Sequence, residues 1–410
     1  MDAIETSRAS RSCLVSSMKL ALASAFCLAL GSFLACSSTK PVSGFSESDG
    51  GGPAGNGGDD AGDDVGVIIG GDGGQQSCQP NPANYDIPGN NCDDDGDGKV
   101  DNVFVCDANL PATGAASLFA QALGLCQAAS GPNDAKWGVI SATYTNSHAG
   151  SGAPNDLQHG ILPKFGNVIV PREGMRLGVL SSGSARETDS DMGPEFKGLK
   201  SGMQGLLPNP GATPAGYPKP ASGCPQMGNA TFDVIDVKLV IKAPANAKGF
   251  KFDFDFWSGE WPEYVCTDYN DAFIAFLSAK GFNNGAADNM SFDMNNNPVS
   301  VNNGFFDRCT PNTQTGCSGT HLKTASCPGG TAELAGTGFD APGMYCATNS
   351  SGGGATGWLT SQAPIMPGET FTIEFMIWDT GDESYDSSVL LDNFQWIAGD
   401  TTAGTTRPPK

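Results

Sequence analysis

At 410 residues the chain could hold two or three domains, but 56 glycines, 27 prolines and only 16% charged residues favour one large, loop-rich β domain with appendages. A formal net charge of -22 excludes nucleic acid as a partner, since phosphates need Lys and Arg to neutralise them. Divalent cations suit this balance, although an acidic surface also serves simply to keep an exported protein soluble.

Residues 1–35 read as an export signal, with Arg8, Arg11 and Lys19 ahead of an apolar run from Leu20 to Ala35 that is short for a membrane span. Translation from Met18 is an alternative start. Phe33, Leu34, Ala35 and Cys36 resemble a bacterial lipoprotein signal, in which a cysteine takes lipid after cleavage, with Phe33 standing where Leu is usual. Cys36 is thus the expected anchor to the cell envelope, and Ser37 after it favours the outer membrane or cell surface. Setting aside Cys13, Cys27 and Cys36 leaves Cys78, Cys92, Cys106, Cys126, Cys224, Cys266, Cys309, Cys317, Cys327 and Cys346. That even number suits disulfides in an oxidising compartment, in pairings that spacing does not decide. Zinc is the weaker reading, because there is no CxxC pair and only His148, His159 and His321 are available.

Residues 36–77, rich in Gly, Asp and Ser, read as a disordered tether unable to bury enough apolar surface to fold. Residues 78–107 then carry NNCDDDGDGKVDNVFVCD, where Asp93, Asp95, Asp97 and Asp101 with Gly98 reproduce the alternate carboxylates and turn glycine of an EF-hand-type calcium loop. Phe104 stands where a bidentate Glu belongs, so the loop is closer to the thrombospondin type 3 or dockerin style, flanked here by Cys92 and Cys106. A solvated acidic turn is the alternative.

One short helix is expected within Ala115 to Gln127. Strands follow: around Trp137, in FDVIDVKLVIK, and in FKFDFDFW, where Phe250, Phe252, Phe254 and Phe256 alternate with Lys251, Asp253, Asp255 and Trp257 to give one buried face. APANAKG is expected to close a hairpin between the last two. Ala272 to Leu277 is apolar at both parities and reads as a strand covered on both sides. Residues 281–357 look like a cysteine-stapled insertion, with a strand in PVSVNNGFF. Phe371, Ile373, Phe375 and Ile377 alternate, the acidic DTGDESYD follows, and SSVLLDNFQW forms a last strand. Residues 399–410 read as a disordered tail. The fold class is therefore all-β, a jelly-roll-like β-sandwich over residues 115–398 with one short helix.

The run WPEYVCTDYNDAFIAFL, then PVSVNN, then PGETFTIEFMIWDTGDESYDSSVLLDNFQW resembles the choice-of-anchor L domain of bacterial surface proteins, and WGVISATY, QHGIL and LSSGSAR resemble its versions in myxobacterial-type lipoproteins. The resemblance runs from about Ala115 to Ile397 and implies an exported β-sandwich module held at the surface, here by lipid. It implies architecture more than activity.

The chemistry rests on two acidic loops. If both leave one end of the sandwich, Glu260, Asp271, Asp379, Asp382 and Asp386 can share calcium, whose flexible all-oxygen coordination such loops suit. Alternatively Asp271 and Asp386 cap turns. Trp257, Trp261, Glu263 and Tyr264 are candidates for contacting a surface glycan or protein, against the plainer reading that the aromatic rings close the core edge. The chain reads as a binding or structural, adhesin-like module and not as an enzyme. The competing class is a secreted hydrolase using Glu260 and Glu263, whose spacing of three dictates no glycosidase geometry. A nominal triad of Ser181, His159 and Asp189 lacks a nucleophile-elbow motif.

Overall fold

A computed structural model describes residues 78–408 except 103, 187–210, 225–227, 303, 321, 341–342 and 344–350. The export signal, Cys36, the tether, Asp189, His321 and Cys346 lie outside the described residues. No helix among the described residues is long and apolar enough to cross a membrane.

Two antiparallel sheets face each other. The first contains β1 (Gly138–Thr145), β4 (Thr231–Lys242), β13 (Thr370–Thr380), β6 (Ala272–Ser278) and β7 (Asp288–Asn289) in that order, with β8 (Val299–Ser300) also paired to β6. The second runs β15 (Gly404–Thr406), β12 (Leu359–Pro364), β5 (Gly249–Ser258), β14 (Ser387–Ile397), β3 (Leu177–Ser181) and β2 (His159–Leu162), with β11 (Gly354–Ala355) on β5. A separate hairpin joins β9 (Thr313–Thr315) to β10 (Lys323–Ala325). The expected helix is α1 (Ala116–Ala122), the one α-helix among the described residues, whose Phe119 reaches the core.

The core follows the sequence alternation. Val237, Leu239 and Ile241 of β4 and Phe371, Ile373, Phe375 and Ile377 of β13 meet Phe250, Phe252, Phe254 and Phe256 of β5, all buried in one cluster. Phe250 stacks on Phe371 with ring centroids 5.3 Å apart, and Phe252 meets Phe375 edge-on at 4.9 Å. Such inward rows hold aligned sheets together across a shared apolar layer.

Three expectations need correction. First, β5 is buried on both faces. Its second face is covered by Phe165, Leu334 and Phe339 packed around Trp257, while Asp253 is held by Arg172, Thr360 and Asn393. Second, APANAKG closes no hairpin: β4 and β5 belong to different sheets, so the segment is an arch between them. The connections from β5 to β6 and from β13 to β14 cross between sheets in the same way. Third, the tail expected to be disordered is tied down to residue 407. β15 pairs with β12, and the Arg407 guanidinium donates to the carbonyls of Thr356 and Phe305.

Disulfides join Cys78 to Cys92, Cys106 to Cys126, Cys224 to Cys266 and Cys309 to Cys327. Cys317 is disulfide-bonded as well. The acidic loop of residues 78–107 docks on the β4–β5 arch, where Asn246 exchanges hydrogen bonds with the Tyr85 backbone and Ala245 N–H donates to Ala83.

Asp255, fully buried on β5, shows how burial sets charge. Its carboxyl is pushed from 3.8 up to about 8, chiefly by loss of solvent and then by the Glu333 charge, against a hydrogen bond from Thr356. The native state therefore holds a proton that the unfolded chain releases from about pH 4 upward, so this group's contribution to stability falls as pH rises from about 4 to about 8. Asp255→Asn, which stays neutral, is expected to match the parent near pH 4 and to exceed it increasingly toward pH 8 in denaturant melts. A gap that does not grow with pH counts against a protonated Asp255.

Candidate metal centre

Both acidic connections leave the same end of the sandwich, because strand register places their roots side by side. Ser258, the last residue of β5, pairs with Ser387 at the start of β14, and Ala272 at the start of β6 pairs with Trp378 near the end of β13. The residues just outside these pairs, Glu260, Asp271 and Asp386, are thereby gathered together. Asp379 joins them by alternation: it continues the inward row of Phe371, Ile373, Phe375 and Ile377, so a carboxylate stands where the next core residue would be. Opposite it β4 takes an extra residue, and Asp233 at that bulge adopts φ 49°.

Direct contacts bind the two connections. Asp271 accepts hydrogen bonds from the Thr380 backbone at 3.0 Å and from the Ser387 hydroxyl at 2.7 Å. Gly259 N–H donates to the Asp386 carbonyl. Ser182, just after β3, accepts from Ser387 N–H, and Gly183 lies so close to Asp386 that a Cβ there would overlap the carboxylate. Glu260, Asp271, Asp379 and Asp386 are each at most 2% exposed.

Burying carboxylates side by side is costly unless they keep protons or gain a cation. Burial and then the charges of Asp271, Asp382, Glu263 and Asp386 push Glu260 well above its ordinary range. Burial and the charges of Asp271 and Asp386 do the same to Asp379. Burial raises Asp271 to about 7, although the hydrogen bonds from Ser387 and Thr380 oppose the shift. Glu260 Oε2 and both Asp379 carboxylate oxygens are buried without a hydrogen bond of ordinary geometry among the described residues. Asp382 is half-buried at the outer edge of the group, where Tyr264 packs against Tyr269 and Tyr385, and its charge is the main cause of the raised Tyr269 hydroxyl.

The N-terminal aspartate loop lies at the other end of the strands, against the β4–β5 arch. The length of β5, 10 residues, separates the two ends by roughly 30 Å. Here Asp86, Asp93 and Asp95 place one carboxylate oxygen each within 4.8 Å of one another. Asp97 turns to the Lys99 and Asn102 side, and Asp101 spends both oxygens on the backbone N–H groups of Asn90 and Asn91. Asp86 was invisible to motif reading because it precedes the DxDxDG pattern. It enters through the chain's return, accepting from the backbone of Asp94, Asp95 and Asn102.

The aromatic candidates separate. Trp257 is fully buried against Phe165 and Phe339 and belongs to the core, so it is withdrawn from the ligand-facing set. Tyr264 sits with the tyrosines beside Asp382. Glu263 is 3% exposed, and its backbone carbonyl accepts from Ser318. Trp261 lies on the far side of the same connection, stacked on Phe306 at 4.3 Å and lining a cavity of about 380 Å³. Of the nominal triad, Asp189 lies outside the described residues; Ser181 donates to the Ser387 carbonyl, and His159 stacks on Tyr144 with its pKa driven down to about 4, mainly by burial.

Comparison with known proteins adds one finding. Residues 243–395 match the family model of the Choice-of-anchor L domain, which points to a module associated with the cell surface. This stretch spans β5 to β13 and most of β14, and it contains every carboxylate of the buried acidic group named above except Asp233. Neither the curated proteins nor the solved structures gave a match.

Proposed function

We propose that the chain is a lipid-anchored, calcium-stabilised binding module of the outer cell envelope. The observation that carries this reading is the buried acidic group, where Glu260 Oε2 and the Asp379 oxygens are sealed from water with carboxylates as their closest charged neighbours. One divalent ion would supply the missing partner to several of these groups at once. An all-oxygen donor set from flexible connections suits calcium better than magnesium, which demands a near-ideal octahedron. The residues that would hold it are Glu260, Asp271, Asp379 and Asp386, with Asp382 on the outer side; no three of their oxygens lie within 4.8 Å of one another as those of Asp86, Asp93 and Asp95 do, so the ion would have to draw them together. A second ion would sit on Asp86, Asp93 and Asp95, with Asp97 adjoining. Each ion would be structural, fixing the crossings between sheets.

Burial also argues against the hydrolase alternative. Glu260 and Glu263 are 2% and 3% exposed, so a polymeric substrate has no path to a carboxylate pair there. A binding module asks only that the connections present a rigid surface, and filling the acidic group with an ion provides that rigidity.

Anchoring is tested on the whole chain. In detergent phase partitioning of host membranes, the parent is expected in the detergent phase and Cys36→Ser in the aqueous phase. Equal partitioning of the two contradicts anchoring through Cys36.

A further inference from the structure

Phe104 is the one exposed aromatic ring among the described residues, with 67% of its surface in water. Val100 and Val105, in the same loop, are each more than half exposed, and so is Met175. Met175 comes to this corner because its N–H donates to the carboxylate of Asp107, two residues beyond Val105. Single exposed apolar side chains are ordinary. Here two segments far apart in sequence contribute to one patch with an aromatic ring in it, which marks an interaction surface.

Phe104 and Val105 lie between anchored points. On one side Asp101 accepts from the N–H groups of Asn90 and Asn91, and Asn102 N–H donates to Asp86. On the other, Cys106 is bonded to Cys126, and Asp107 accepts from Met175 and Arg176. Fastened at both sides, the apolar side chains are presented to whatever lies beyond this end of the fold.

The course of the chain identifies the occupant. The described structure begins at Cys78, which is bonded to Cys92, so the segment leading back to Cys36 departs from this same loop. Residues 37–77 span at most about 150 Å when fully extended. A lipid on Cys36 therefore keeps the patch within that distance of a bilayer, and contact becomes an intramolecular step for which weak affinity suffices. Aromatic and aliphatic side chains gain by entering the boundary between headgroups and acyl chains. Charge selects the headgroup. Asp93, Asp94, Asp95, Asp97 and Asp101 share the loop with Lys99, the single base between Cys78 and Asp107, so anionic lipid repels it and zwitterionic lipid does not.

We propose that Phe104, Val105, Val100 and Met175 dock this end of the module onto the zwitterionic phospholipid surface to which its own lipid holds it. The step rests on the reading of the chain as lipid-anchored and not on calcium. Docking turns the opposite end, with the two acidic connections, away from the bilayer.

The test mounts the full chain on phosphatidylcholine vesicles through its own lipid, with bromine-labelled phosphatidylcholine as a fluorescence quencher. Phe104→Trp and Met175→Trp are each expected to add emission that the bromolipid quenches at least twofold more strongly than the emission added by Leu322→Trp. Leu322 is comparably exposed and lies on the hairpin that hydrogen-bonds to Pro262 and Glu263, at the other end of the strands. Combining Met175→Trp with Phe104→Ser and Val105→Ser should remove most of its excess quenching, and phosphatidylglycerol in the vesicles should reduce it. Melting midpoints confirm that each variant is folded. Equal quenching at positions 104 and 322, or none at either, overturns the proposal. So does a blue shift of the Phe104→Trp emission that grows with protein concentration without vesicles, which assigns the patch to a second copy of the chain. A parent that enters the detergent phase while position 104 stays unquenched removes the docking and leaves anchoring through Cys36 in place. A parent that stays in the aqueous phase removes the premise and the docking with it.

Discussion

Phe252→Ala is expected to cost about 3–5 kcal/mol of folding stability, the range for deleting a fully buried aromatic ring. Phe252 is 0% exposed and sits where the two sheets meet, touching Phe375 of the facing sheet edge-on and Phe254 along its own strand. The neighbouring rings are held by strands paired on both sides, so the gap cannot close by collapse. Chemical denaturation reads the loss directly as a lower midpoint at unchanged slope. A loss under about 1.5 kcal/mol, the range of volume-conserving core exchanges, would mean that this interface is far looser than its ring contacts indicate.

If calcium is bound as proposed, its removal is expected to have the second large effect. With free calcium at about 100 to 1,000 times the dissociation constant, an ion bound only by the native state adds about 2.7–4.1 kcal/mol, and chelation should lower the melting midpoint by roughly 5 °C or more. The sign of the pH dependence follows from the carboxyls. Asp271 is raised to about 7, and burial with neighbouring carboxylate charges holds Glu260 and Asp379 well above their ordinary range, so protons compete with the ion in acid. The calcium-dependent shift should therefore be larger at pH 8 than at pH 5.5. Without the ion, the native state binds more protons than the unfolded one across that window, and its stability should fall as pH rises. Asp379→Asn should reduce the shift by removing a ligand, and Gly183→Ala by displacing Asp386. A midpoint unmoved by chelator at both pH values contradicts the role given to calcium.

Much of this fold was legible because its signals were local. The alternating phenylalanines of β5 and the Phe371–Ile377 row named the inner faces, and the two-sided apolar pattern of Ala272 to Leu277 correctly announced a strand covered on both sides. Local pattern did not reveal which strands were partners. APANAKG has the length and composition of a hairpin turn, and only the long-range pairing of β4 with β13 and of β5 with β14 turns it into an arch. For the same reason Trp257 looked like part of an exposed tip: nothing near it in sequence announces Phe165 and Phe339, which cover it.

The acidic group was legible in its members and not in its depth. Asp379 could be placed on the buried parity by counting from Phe371, but Ser182 and Gly183, which close the group from β3, come from a segment with no acidic signal. Asp86 and Tyr385 were missed similarly, since each reaches its neighbours through chain reversals that no spacing rule encodes.

The central claim is that an ion is held where the two acidic connections meet. Its most direct test is calorimetric calcium titration of the metal-stripped full chain, comparing the parent with Asp379→Asn and with the paired loop substitutions Asp93→Asn and Asp95→Asn. The proposal predicts that Asp379→Asn loses one binding event that the loop variant keeps. Equal stoichiometry and affinity in the parent and Asp379→Asn would contradict it.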